Sequence, residues 1–130
     1  MKITYEKLLN VYPSLLELKK FKMEYSKAKA IFNLYKKLEN EFEFYRETEE
    51  KLVNTYAHKD PNGKPMIKAN GQIVFANKSE GDEYLKEIND IRIKEIDIDI
   101  SEIKLCVIDL DNHMISPELI ESLEGIIVFD

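Results

Sequence analysis

The sequence predicts an α+β fold, in which a helical hairpin precedes a small mixed sheet, and three observations predict it. Apolar residues recur at helical spacing through most of the first half of the chain. Turn sequences follow, and from Ile91 the spacing changes from helical to alternating, as in a half-exposed strand. Because helices come first and strands mostly later, a wound βαβ arrangement is disfavoured.

Length and composition set the number of domains. The chain has 130 residues, of which 44% are hydrophobic and 34% charged, so it can bury a core of its own. We expect a single domain over residues 1–130. Its helical hairpin should occupy residues 1–58, and a small α/β part should occupy residues 59–130.

The first predicted helix covers residues 5–20, with Thr4 as its N-cap. Pro13 lies inside this segment, where it removes a backbone donor and crowds the preceding turn. We therefore expect either a kinked helix or two short helices packed on one face.

The second predicted helix is the strongest structural signal in the chain and runs over residues 26–56, with Ser26 as its cap. At 1.5 Å per residue it should be about 45 Å long. Its apolar seam alternates steps of four and three and is broken by one glutamate. The seam consists of Ile31, Tyr35, Leu38, Phe42, Tyr45, Glu49, Leu52 and Tyr56.

A β-hairpin is expected next, with strands at 64–69 and 72–77 joined by the two-residue loop Asn70-Gly71. Ser79 and Asp82 then resemble a capping box that opens a short helix. The apolar face of that helix should contain Tyr84, Leu85, Ile88 and Ile91.

The last part of the chain reads mainly as strands. Alternating isoleucines predict a strand over residues 96–100, and a second strand should cover residues 104–108. Ser116-Pro117 is a favourable helix start and Gly125 a favourable stop, so a short helix should lead to a final strand over residues 126–129.

Charge, hydropathy and cysteine content exclude several classes. No apolar run approaches the roughly 20 residues that span a bilayer, and the start does not resemble a signal peptide. Cys106, the single cysteine, excludes an internal disulfide and is expected to be buried and inert. With a net charge of −6, we expect no direct nucleic-acid binding. Mimicry of DNA is also disfavoured, because lysines are interleaved with acids almost everywhere.

The segment Asp109-Leu110-Asp111 resembles the nucleophile motif of the haloacid-dehalogenase phosphatases, in which two aspartates share catalysis and magnesium binding. Asn112-His113 replaces that family's Gly-Thr, and only 19 residues follow Asp111, too few for its downstream residues. The histidines lack neighbouring ligands, and no phosphate-binding glycine loop is present. We therefore expect no catalytic residue, no metal and no cofactor.

The chain resembles a family of short proteins of unknown function encoded by tailed phages and prophages of Gram-positive bacteria. The residues that carry the resemblance are KITYEKLLNVYPSLLELKK, AKAIFNLYKKLENEFEFYRETEEKLVNTYAHKDPNGK, IKEIDIDI and ISPELIESL. The resemblance implies a product that works in the bacterial host cytoplasm or is incorporated in a virion. It implies no catalytic site, and such products act by contact as assembly factors, minor structural parts or inhibitors of host proteins, including antiviral defence.

The long helix is the expected interaction surface, because the shorter first helix can cover only about half of it. The candidate partner-binding residues lie in the uncovered half: Phe42, Tyr45, Glu49, Leu52 and Tyr56. Two interpretations stay open, namely that the same chain buries this stretch or that it packs on a host protein, a phage protein or a second copy in a homodimer. A module that sequesters a nucleotide signal, using tyrosines and lysines near the hairpin, is the alternative function.

Overall fold

The computed structural model describes residues 1–106, 110–111 and 114–130, and it confirms the α+β class with a helical hairpin. Two long helices follow each other, and short strands form sheets of two strands each. In chain order the elements are β1 (Lys2–Thr4), α1 (Tyr5–Leu18), α2 (Tyr25–Tyr56), α3 (Lys78–Arg92), β2 (Glu95–Asp97), β3 (Ile103–Leu105), α4 (Pro117–Ser122) and β4 (Ile127–Phe129).

Contacts within the chain group its residues into two compact units. Unit 1 comprises Met1–Phe42 and Glu95–Asp130, and unit 2 comprises Glu43–Lys94. Helix α2 therefore contributes its first part to unit 1 and its second part to unit 2. That the whole chain forms a single domain stays a prediction.

Helix α1 is one continuous helix that includes Pro13, so the alternative of two short helices is wrong. The Thr4 hydroxyl caps it by accepting a hydrogen bond of 3.1 Å from the backbone N–H of Lys7, as expected. Pro13 lies on the exposed side, where its ring does not disturb the buried face. That face carries Tyr5, Leu8, Val11, Tyr12, Leu15 and Leu18.

Among its described residues, unit 1 contains two separate sheets in place of the one small mixed sheet that we expected. Strands β1 and β2 pair antiparallel, with Ile3 opposite Ile96, whereas β3 and β4 pair parallel, with Lys104 opposite Val128. Helices and sheets enclose an apolar core that includes Leu8, Leu15, Leu34, Leu38, Leu105, Leu119, Leu123 and Ile126.

Strand boundaries differ from the expected ones at the carboxyl-terminal end. Strand β2 ends at Asp97. The next residue, Ile98, is buried, and its backbone N–H donates a hydrogen bond to the carbonyl of Met1. Residues 107–108 of the second predicted strand lie outside the described residues. Helix α4 begins as expected, because the Ser116 hydroxyl accepts from the N–H of Leu119 at 3.2 Å.

Two of the predicted helix caps are wrong. Ser26 is already the second residue of α2, and its hydroxyl donates to the Glu24 carboxylate at 2.9 Å. Helix α3 begins before Ser79 and, with 15 residues, is not short. Its cap is Asn77, which accepts from the N–H of Glu80 at 2.9 Å. Asparagine and serine are about equally favourable at an N-cap, so the residue types alone do not distinguish Asn77 from Ser79 as the cap.

In unit 2, three short extended segments at 57–59, 65–67 and 73–75 form antiparallel bridges with one another. Their central residues close a ring of backbone hydrogen bonds, because His58 donates to Val74, Val74 to Met66 and Met66 to His58, at 2.8–3.0 Å. The expected hairpin is present, but its loop has three residues, since the N–H of Lys68 bonds to the carbonyl of Gln72.

Gly71 adopts a φ of +87° in that loop, and Gly63 adopts +79° in the loop before it. Both loops have the same two backbone hydrogen bonds. The N–H of the residue before the loop donates to the carbonyl of the residue after it, and the glycine N–H donates to the carbonyl of the residue before the loop. Two equivalent glycine turns, eight residues apart, thus align the three segments. None of the described helices is long and apolar enough to cross a membrane.

Candidate interaction surfaces

Phe42, the first candidate partner-binding residue, packs inside unit 1. Its ring stacks on that of Tyr12 in α1, with centroids 4.3 Å apart and an interplanar angle of 25°. Two turns earlier in α1, the Tyr5 hydroxyl donates to the carboxylate of Glu41, the residue before Phe42, at 2.9 Å. These two contacts hold α1 against the first part of α2 and half-bury Phe42.

Tyr45 is 1% exposed and is a core residue of unit 2. Its phenolic oxygen accepts a hydrogen bond of 2.9 Å from Nε of Arg92 in α3. Burial raises the pKa of Tyr45, the Arg92 hydrogen bond lowers it, and a hydrogen bond to Glu49 raises it. Glu49, the residue that breaks the apolar seam, is therefore paired through Tyr45 with a cation on the next helix.

The remaining two candidates also contact their own unit. Leu52 is half-buried. The Tyr56 hydroxyl donates to the Glu87 carboxylate of α3 at 2.7 Å, and this bond raises the pKa of Tyr56. The second part of α2 thus packs on α3 through Tyr45 and Tyr56, in line with the interpretation that the same chain covers this half of the seam.

An acidic groove lies on the surface of unit 2 beside these residues. It has a volume of about 650 Å³ and is lined by Glu43, Arg46, Glu47, Glu49, Glu50, Val53 and Ile67. Glu49 is the only one of the five candidate residues among them, and the groove therefore places one predicted site residue at a concave surface.

A second concavity of unit 2, the apolar hollow, lies between the hairpin and α3. It is a shallow and wide-open depression with a volume of about 720 Å³; most of its lining is apolar, and Ile73, Phe75, Tyr84 and Leu85 contribute to it. Gly81 allows the hairpin to pack closely on α3, because a Cβ atom at this position would lie only 3.3 Å from Cδ2 of Phe75. The rings of Phe75 and Tyr84 pack at 5.4 Å between centroids, which fixes the floor of the hollow.

Leu85 stands at the edge of the apolar hollow and is 53% exposed. We expected it on the buried face of its helix, together with Tyr84 and Ile88, and this was wrong. Those two residues, four apart, are buried, whereas Leu85 points about 100° away around the helix. The signal was available in the sequence, since Tyr84, Ile88 and Ile91 fall within about 60° around the helix, whereas Leu85 lies about 60° beyond them.

The structure does not test the predicted phosphatase-like motif Asp109-Leu110-Asp111 at its first aspartate. Asp109 lies outside the described residues, as do Asn112 and His113. Within the described ranges, no group of three histidine, cysteine or acidic side chains could hold a metal ion. Cys106 is half-buried there, and so is less enclosed than expected.

The charges in helix α2 and the segment just before it are distributed unevenly, contrary to the expected interleaving of lysines and acids. Residues 19–37 contain seven lysines and one glutamate, a local charge of +6, whereas residues 39–50 contain six glutamates and one arginine. The first of these segments belongs to unit 1 and the second mostly to unit 2.

No family model, no curated protein and no solved structure matches this chain, so the candidate surfaces are defined by their own geometry.

Proposed function

We propose that this chain acts by binding another protein through the apolar hollow of unit 2 and has no catalytic role. The observation that carries the proposal is Leu85, a large apolar side chain left 53% exposed at the edge of a concave surface whose lining is mostly apolar. Exposed apolar surface of this kind marks contact sites, because burying it on a partner recovers its hydrophobic free energy.

The residues on the floor of the hollow suit a binding role. Phe75 and Tyr84 are held by each other and by the close approach at Gly81, so a partner meets a surface that is already formed. Preorganisation of this kind lowers the entropy that binding costs. Polar residues such as Asp82 and Lys78 contribute the remaining lining, as in the polar rim of many interfaces.

The resemblance to phage and prophage proteins supports a biological setting for this proposal. In that setting the chain works in the bacterial host cytoplasm or as part of a virion. Its partner is a phage protein, if the chain is an assembly factor or minor structural part, or a host protein such as a defence component, if it is an inhibitor.

The test is affinity capture from phage-producing cells with wild type, Leu85→Glu and Ile93→Glu as baits. Ile93 is the matched control, because it is 66% exposed in the same unit and lies outside the hollow. We expect wild type and Ile93→Glu to capture the same partner and Leu85→Glu to lose it. Circular dichroism should show that all three baits are folded. Equal capture by all three folded baits would refute the hollow as the contact site.

A second candidate function, sequestration of a nucleotide-like ligand, has one observation in its favour. The hollow combines the aromatic side chains of Phe75 and Tyr84 with Lys78, which offer stacking and a cation for a phosphate. A panel of nucleotides should then raise the melting temperature of wild type and not of Lys78→Ala. Absence of any shift counts against this function.

A further inference from the structure

One face of helix α2 in unit 1 alternates aromatic and basic side chains. Tyr25, Lys29, Phe32 and Lys36 follow one another at spacings of four, three and four residues, and all four are exposed. We call these residues, together with Lys19 and Tyr35 beside them, the basic-aromatic stripe. Tyr25 is 78% exposed and Phe32 44%, although rings of this size are usually largely covered in a folded chain.

Lysine ammonium groups surround the rings of this stripe. Nζ of Lys29 lies 5.5 Å from the centroid of Phe32, and Nζ of Lys36 lies 5.9 Å from it. On the neighbouring Tyr35, which meets Phe32 edge to face at 5.4 Å, Nζ of Lys19 lies at 4.6 Å. Ring faces and positive charges thus share one surface, beside an open depression of about 210 Å³ that Phe32 and Tyr35 help to line.

Few acids offset these lysines. Within residues 19–37 the single acid is Glu24, whose carboxylate accepts from the Ser26 hydroxyl. Lys36 pairs with Glu39 at 3.1 Å, but the structure records no ion pair of Lys19 or Lys29 among the residues that it describes. The whole-chain charge of −6 therefore hides a local surface of opposite sign.

We infer that the basic-aromatic stripe binds single-stranded nucleic acid. Phosphates of a single strand match the lysines in charge, and its unpaired bases can stack on the exposed rings. A duplex does not fit equally well, because its bases already stack on one another and offer no free faces. An apolar partner helix fits worse, because it would bury the ammonium group of Lys29 without a counter-charge. The expectation of no direct nucleic-acid binding rested on net charge alone, which averages over both parts of α2.

This surface lies in unit 1, so the inference does not depend on the protein partner proposed for the hollow of unit 2. The test is fluorescence anisotropy of a labelled oligo(dT) titrated with the full chain. Two phosphate contacts give a salt slope of about −1.4, so the affinity should fall about sevenfold between about 50 and 200 mM salt. Loss of one stacked base in Phe32→Ala should weaken binding about fivefold or more.

Matched variants separate the stripe from general charge effects. Lys19→Glu/Lys29→Glu should weaken binding at least tenfold, whereas Lys51→Glu/Lys86→Glu changes the net charge equally and should retain most of it. Phe44→Ala is the control for Phe32→Ala, since Phe44 lies on the same helix and is 58% exposed.

Four results would overturn the inference, each with variants that remain folded by circular dichroism. They are absence of oligo(dT) binding at low salt, equal losses in a variant and its control, a duplex that competes as well as the single strand, and equal competition by polyglutamate or by anionic lipid vesicles. The last two would show a surface that accepts any polyanion without base stacking.

Discussion

Tyr45 offers the sharpest test of whether the second part of α2 is core or interface. Replacing it with alanine removes a ring that is 1% exposed and a hydroxyl bonded to Arg92 at 2.9 Å. Removal of a buried aromatic side chain costs about 3–5 kcal/mol, a large part of the roughly 5–15 kcal/mol that stabilises a domain. Tyr45→Phe keeps the ring and should cost only about 1 kcal/mol, since Arg92 is partly exposed and can recruit water.

The assay is urea denaturation of purified monomer, followed by circular dichroism. Phe44→Ala is the control, because its neighbouring ring is 58% exposed, and its effect should stay within about 0.5 kcal/mol. A double-mutant cycle of Tyr45→Phe with Arg92→Ala should give a coupling energy of about 0.5–1 kcal/mol. If Tyr45→Ala were as stable as Phe44→Ala but lost a bound partner, the ring would belong to an interface and our reasoning would be refuted.

Two further predictions concern the hairpin turn and alkaline pH. Gly71→Val forces a β-branched residue to a φ of +87° and should lower the free energy of unfolding by about 1–2 kcal/mol. Gly71→Asn should cost less, because asparagine tolerates positive φ better. An unchanged midpoint of urea denaturation for Gly71→Val would contradict the turn geometry. Burial and then the Glu41 hydrogen bond raise the pKa of Tyr5 from 10.0 to about 12, so its stabilising contribution is complete below pH 10 and lost as the pH rises to about 12. The unfolding free energy of Tyr5→Phe should therefore fall less steeply than that of wild type over this window, and equal slopes would disprove the role of this phenol.

The candidate site was only partly predictable. The sequence pointed to the second part of α2, and the structure places Glu49 at a groove there, but it also shows Tyr45 paired with Arg92, 47 residues away along the chain. A helical pattern tells which residues share a face, and it does not tell what covers that face. For the same reason the pattern could not show that Leu85 would remain exposed beside Phe75.

Features whose causes are local could be predicted from the sequence. The span of α2 follows from its apolar spacing, the caps at Thr4 and Ser116 from hydroxyls beside helix starts, and the hairpin turn from a glycine that accepts positive φ.

Tertiary structure alone decided the features that join distant segments. Strand β1 has three residues, too few for a pattern, and it exists because it pairs with β2 more than 90 residues later. The ring of hydrogen bonds among His58, Met66 and Val74 likewise depends on three segments that meet only when both glycine turns have formed. Local preferences act within a few residues. Backbone pairing between segments far apart in the sequence is favourable only when the packing that accompanies it compensates for the entropy lost on closing the loop.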